Sequence, residues 1–270
     1  MTRDDKRLTL FFAVTLVFSW LYWFAVLASA RHWIGARVPL TPLGAFGPAI
    51  AAIVSAAAFG GRAELAQLFR RFRWRGATGN GLAIALGTWP LLVSVALAAA
   101  GVSGVALGVQ PGLTIGLVLL VFIEVFVLTA LGEEVGWRGY ALPLLLARRH
   151  PFAASIIVGS VWAIWHLPLF WIPGTAQAGI PFVYFALSIL AASLVYTAVF
   201  RLTQPSIIPV LLLHSSQDAS LSIAQIGWPQ ATAGRVFWFT YFGLVLLAGV
   251  AAVFVPRRGY KSTGAAGVAR

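Results

Sequence analysis

Cysteine is absent from all 270 residues. Disulfides, thiol nucleophiles and Cys-based metal sites are therefore excluded, and the redox compartment leaves no mark on the composition. Charge is also scarce: 10% of residues are Asp, Glu, Lys or Arg, while 60% are hydrophobic. Soluble domains carry roughly a quarter charged residues and about half apolar ones, so an ordinary water-soluble fold is excluded. Acidic residues are the scarcest charge, seven in all. Four of them, Glu124, Glu133, Glu134 and Asp218, lie within or beside long apolar runs, as do two of the four histidines, His166 and His214. A charged side chain at the centre of a bilayer costs from ~3 to over 10 kcal/mol, depending on how far water and snorkelling relieve it. Groups so costly to bury are expected to meet inside the membrane and to do chemistry there.

What is abundant sets the fold class. Apolar stretches of about 18 residues or more recur, each long enough to cross a hydrocarbon core of roughly 30 Å as a helix. The chain reads as all-α, a polytopic transmembrane helix bundle. Eight spans are predicted, at about 8–30, 43–60, 81–101, 113–135, 152–172, 181–200, 205–226 and 236–255, punctuated by Pro, Gly and Arg. The loops are too short to fold alone, so one structural domain is expected. It divides into N-terminal helices (1–112), a core that carries the polar clusters (113–226), and a last helix with a basic tail (227–270), frayed after Lys261. Ala28-Ser29-Ala30 resembles a signal-peptidase site. The preceding apolar run is longer than the 7–15 residues usual for a signal peptide, so it is read as a retained first helix.

The net charge of +12 does not point to nucleic acid, because the basic residues sit at the ends of apolar runs. With both termini in the cytoplasm, sixteen of the nineteen Lys and Arg fall on the inner side, leaving Arg31, Arg37 and Arg235 outside. That asymmetry obeys the positive-inside rule. The loop Arg62 to Arg75 would then face the cytoplasm and its anionic headgroups.

Three polar clusters carry the candidate chemistry. In Glu133-Glu134-Val135-Gly136-Trp137-Arg138, the pair Glu134 and Arg138 is four apart and shares a helix face, which suits an ion pair. Glu133 is turned about 100° away and stays available as a general base. The plainer reading is a helix-end charge cluster in the headgroup layer. The second cluster is Trp162-Ala163-Ile164-Trp165-His166, where a lone histidine is also compatible with simple hydrogen-bonded packing. The third, His214 to Asp218, again places two groups four apart on one face. Interhelical hydrogen-bonding glue is the alternative, worth only about 1 kcal/mol per contact. Depth places Glu133 and His166 at a similar level, each fifteen residues from the turn at Arg148 to Pro151. The fourth span would then run past Glu133 through Gly136, Gly139 and Pro143, where a kink or break lining a wet cavity is expected. Glu124, nine residues before Glu133, falls on the opposite side of a regular helix, outside the site, with a hydroxyl partner expected.

The order Glu-Glu-x-x-x-Arg, an aromatic four residues before His, and His-x-x-x-Asn/Asp resembles the CAAX-protease and bacteriocin-processing family of intramembrane proteases, also called abortive-infection type. The matching residues are Glu133, Glu134 and Arg138, then Trp162 and His166, then His214 and Asp218, within roughly Leu113 to Ile226. Trp162 stands where the family most often has Phe, and Asp218 where it has Asn. The resemblance implies peptide-bond hydrolysis in a cavity open to the cytoplasmic side of the cell membrane. Glu133 would activate water, assisted by His166. Arg138 would hold Glu134, and His214 with Asp218 would stabilise the oxyanion or complete a metal site. His166, His214 and a carboxylate would supply the two-His, one-acid set of a catalytic zinc, although a Glu-activated water uses the same residues without metal. Arg far exceeds Lys, and Ala and Gly are abundant, which points to a GC-rich bacterial genome. The expected substrate is therefore a bacterial peptide or membrane protein rather than a prenylated tail. Two other classes remain: an ion-coupled transporter, which would be expected to carry a repeat of the polar clusters, and a non-catalytic immunity or scaffold protein.

Overall fold

Polar caps and prolines start the helices where the apolar runs begin. In the computed structural model, which describes residues 1–75 and 77–255, Thr2 and Asp5 form a capping box at the head of α1 (Arg3–Ala30). Thr41 caps a 3-10 turn, Pro42–Phe46, that leads into α2 (Gly47–Arg70). Thr78 accepts a hydrogen bond from the Gly81 amide at 3.1 Å to start α3 (Gly79–Val102). Thr114 does the same for α4 (Ile115–Leu146) through Leu117 at 3.2 Å. Pro151 occupies the first position of α5 (Pro151–Trp165), where its missing N–H costs nothing. Three more helices follow: α6 (Phe182–Thr203), α7 (Ile208–Gly227) and α8 (Arg235–Val253).

Among the described residues, eight long helices fall on the eight predicted spans, and seven of them are long and apolar enough to cross a membrane. The protein is a multi-pass membrane protein. The helix that falls short is α7, whose polar run His214-Ser215-Ser216-Gln217-Asp218 lowers its apolarity. Leu119, Ile123, Phe239 and Leu247 point outward, as lipid-facing side chains must. Pro256 and the basic C-terminal tail lie outside the described residues.

Two predicted boundaries need correction. The second helix does not stop near residue 60: it turns at Gly61, whose φ of 56° lies in the left-handed region, and continues to Arg70. The fourth helix neither ends at 135 nor breaks. It runs to Leu146 through two wide π turns, Phe126–Ala130 and Trp137–Ala141. Residues 132–143 are buried among other helices, so the irregular backbone sits in protein and not in lipid.

Close approach holds α4 against the start of α2. Gly132 and Gly136, spaced as small-xxx-small, face the backbone there. A Cβ on Gly132 would lie 2.6 Å from the Ala45 carbonyl oxygen, and one on Gly136 would lie 2.5 Å from Pro48. Elsewhere α3 packs on α7 and α8, and α6 on α5 and α8.

Chain ends and loops sort onto two faces. On one, Arg148 donates to Thr2 at 2.6 Å and Asp5 at 2.9 Å, Arg7 pairs with Glu64, and the Ile207 amide donates to the Arg71 carbonyl at 3.0 Å. On the other, Tyr22 donates to Pro39 at 2.7 Å, Gln110 N–H to Gly227 at 3.0 Å, and Trp228 to Leu107 at 3.2 Å.

Candidate active site

Four helices bring the three motifs together. Glu133, Glu134 and Arg138 come from α4, Trp162 and His166 from the end of α5, and His214 and Asp218 from the middle of α7; α6 adds Tyr196. Glu133, His166, His214 and Asp218 line one cavity of about 760 Å³.

Beneath the cavity lies a fully buried ion pair. Arg138 Nη1 is 2.7 Å from Glu134 Oε1, and neither side chain is exposed. The same oxygen takes His214 Nδ1 at 2.8 Å, which joins α4 to α7 across 80 positions of sequence. The Arg138 guanidinium stands 4.5 Å from the ring centroid of Trp162 and 4.4 Å from that of Tyr196, so two aromatic faces flank the cation. Contact of this kind contributes ~2 kcal/mol or more when water is excluded. Tyr196 is itself oriented by donating to Gln217 at 2.6 Å. A charge that would be costly alone in the membrane is thus neutralised by one carboxylate and flanked by two rings.

Glu133 is held differently. Its Oε2 accepts the indole N–H of Trp162 at 2.6 Å, so it has a neutral donor where unpartnered freedom was expected. Its carboxylate is outside the Glu134–Arg138 pair, as the 100° offset requires. His166, at the end of α5, places Nδ1 2.8 Å from the Trp162 carbonyl. That contact suits an Nδ1–H donor and leaves Nε2 as the ring's acceptor. Trp162 therefore touches both groups, one through its side chain and one through its backbone. His214 is bracketed by acids: besides Glu134 at Nδ1, Asp218 Oδ2 lies 3.4 Å from Nε2. The Asp218 side chain is 38% exposed and faces the cavity.

This donor set does not suit a metal. Both nitrogens of His214 already face carboxylates, and among the described residues no group of three or more His, Asp or Glu side chains is arranged to hold an ion.

Glu124 requires a correction, because it lines the same cavity as Glu133. Nine α-helical residues turn about 900° and end on the opposite face. The π turn Phe126–Ala130 lies between the two and takes in one residue more than an α turn. The pair is then offset by only about 80°, as eight α-helical residues would be. No hydroxyl partner for Glu124 is found among the described residues.

Sequence reasoning also missed Tyr196 and Gln217. Tyr196 carried no local signal, since an aromatic on an apolar helix is indistinguishable from ordinary core, whereas Gln217 lay inside the His214 to Asp218 cluster and was given no role. Trp162 was identified as a motif position, but for its apolar ring and not for its N–H.

The family model described as Type II CAAX prenyl endopeptidase Rce1-like matches residues 114–220, the stretch that contains all three motifs. A protein of Methanococcus maripaludis named CAAX prenyl protease 2 is 37% identical over 93 residues, 32% of this chain and 34% of that protein. The match thus spans about a third of each. Through this segment, with its motifs in order around one cavity, the chain is similar to the Type II CAAX prenyl endopeptidase Rce1-like family over residues 114–220.

Proposed function

We propose that the protein is an intramembrane endopeptidase that hydrolyses a peptide bond with water activated by Glu133. The observation that carries this reading is the meeting of Glu133, His166, His214 and Asp218 in one cavity above a charge-paired floor. The cavity is large enough to admit a segment of peptide, and its aromatic and aliphatic walls suit an apolar one.

In this mechanism the Glu133 carboxylate takes a proton from water as the oxygen bonds to the scissile carbonyl carbon. Trp162 keeps that carboxylate aimed while it gains and loses the proton. His166, which lines the cavity and has Nε2 as its free acceptor, assists in positioning the water. His214, anchored at Nδ1 by Glu134, redirects Nε2 from its longer 3.4 Å contact with Asp218 to donate toward the carbonyl oxygen as negative charge develops there; each such donor is worth a few kcal/mol in a water-poor site. Asp218 orients His214 and, as a carboxylate, donates nothing itself. Collapse of the tetrahedral species breaks the C–N bond, and the proton held by Glu133 passes to the leaving amine. Arg138 acts through Glu134, holding the floor in place. No step is routed through a metal. The substrate is a bacterial peptide or membrane-protein segment.

The transporter reading finds no support in a second polar cluster within α1 to α3. The scaffold reading is separated by experiment. Purified protein in nanodiscs is expected to cleave fluorogenic apolar peptides, and Glu133→Gln is expected to lose at least ~100-fold of that rate while keeping its fold. Unchanged cleavage by the Gln variant would remove Glu133 from the mechanism, and absence of any cleavage by the parent would favour a scaffold.

A further inference from the structure

The loop residues that line the cavity lie on one face, and the position of that face relative to the basic residues carries a consequence for the substrate. The rim is formed by Leu40 and Thr41 from the α1–α2 loop, Ala176 and Gly179 from the α5–α6 loop, and Gln225 at the end of α7. All belong to the face that holds the Tyr22–Pro39 and Gln110–Gly227 contacts. That face carries few cations, namely Arg31, Arg37 and Arg235.

Among the described residues, no loop residue of the opposite face lines this cavity, and that face is strongly basic. Behind the Glu134–Arg138 floor, Gly139 lies against Leu68 and Ile207, and Ile207 and Leu211 are fully buried. A separate pocket of about 190 Å³ opens on that side between Ser155, Thr197 and Arg201, and none of the motif residues lines it. The face gathers the cations of the N-terminus, the stretch Arg70 to Arg75, and Arg148 and Arg149. Cytoplasmic loops are the ones enriched in Lys and Arg. A cytoplasmic N-terminus and a cavity open to the cytoplasm, both expected from the sequence, are therefore incompatible in this fold.

We infer that the cavity opens on the non-cytoplasmic side of the membrane and takes a peptide segment presented there, such as the membrane-proximal part of an exported polypeptide. The word substrate rests on the hydrolase reading above; the sidedness rests on the mouth and the charge alone. Carboxylates of Glu124 and Asp218 on the cavity wall are then reached from the outer face, with no cation of the rim beside them in the cavity lining.

The absence of cysteine makes the test direct, because one introduced thiol is the sole thiol. Ala176→Cys and Gly179→Cys mark the rim; a Cβ at Gly179 meets nothing within 4 Å. Arg149→Cys marks the basic face. Each variant is expressed in a bacterial inner membrane and treated with a membrane-impermeant maleimide. Both rim thiols are expected to react in right-side-out vesicles and to be protected in inverted ones, with Arg149→Cys showing the reverse. Rim labelling only in inverted vesicles, or equal labelling of both faces in both preparations, would overturn the inference. Peptide cleavage by the same variants in detergent, where both faces are open, reports separately on the hydrolase reading. Its failure alongside the expected labelling would remove the reaction and leave the sidedness standing.

Discussion

The indole N–H of Trp162 and the Glu133 carboxylate meet at 2.6 Å, and this one bond links the first two motifs across helices α4 and α5. It restrains a carboxylate without neutralising it, which a lysine or arginine in the same place could not do.

Trp162→Phe retains an aromatic ring beside Arg138 and removes only the donor. Hydrogen bonds to charged groups contribute about 1.5–3 kcal/mol, which corresponds to a fall in kcat of roughly 10- to 100-fold. KM is expected to change little, because the lost contact aims the base and does not bind peptide. A kcat equal to that of the parent would show that Glu133 is aimed by something else.

Removing Arg138 should be felt in stability before catalysis. Arg138→Met leaves Glu134 buried beside His214 without its cation, and breaking such a pair costs about 3–5 kcal/mol. A lower Tm in nanodiscs is the expected readout. Arg138→Lys should recover little, since an ammonium lacks the planar surface that lies between Trp162 and Tyr196. Full recovery of Tm by the Lys variant would reduce Arg138 to a simple point charge.

Gly136 packs closely against Pro48 of α2. Gly136→Ala puts a methyl 2.5 Å from Pro48, and overpacking of this kind costs about 1–3 kcal/mol. Displacing α4 also displaces Glu133 and Glu134, so activity should fall even where the protein still folds. The reverse pattern, with activity intact and helix spacing unchanged, would mean that α2 yields readily.

Chelation is expected to leave the rate unchanged. His214 has a carboxylate at each ring nitrogen, and His166 has Nδ1 on the Trp162 carbonyl, so no two-His, one-acid set is free to close around zinc. Peptide cleavage measured after exhaustive dialysis against chelator, with and without added zinc, checks this. Loss of activity that zinc restores would show that His214 exchanges its partners for a metal.

The sequence alone determined the eight helices and the pairing of Glu134 with Arg138. Both follow from local rules: apolar length against membrane thickness, and i,i+4 spacing on one face. It also determined which residues carry the motifs, because acids and histidines in apolar runs are too costly to be incidental. Tertiary structure decided the rest. The π turn before Glu133 brought Glu124 around to the cavity, a shift that a 100°-per-residue count cannot register. Helix packing turned Trp162 so that its N–H reaches Glu133, set Tyr196 against Arg138, and gave Glu134 to His214 as well. The side on which the cavity opens was likewise beyond reach, since it depends on which loops stand apart and which close over the floor. Spacing along one helix is a property of the chain, whereas contact between helices depends on how several pack at once.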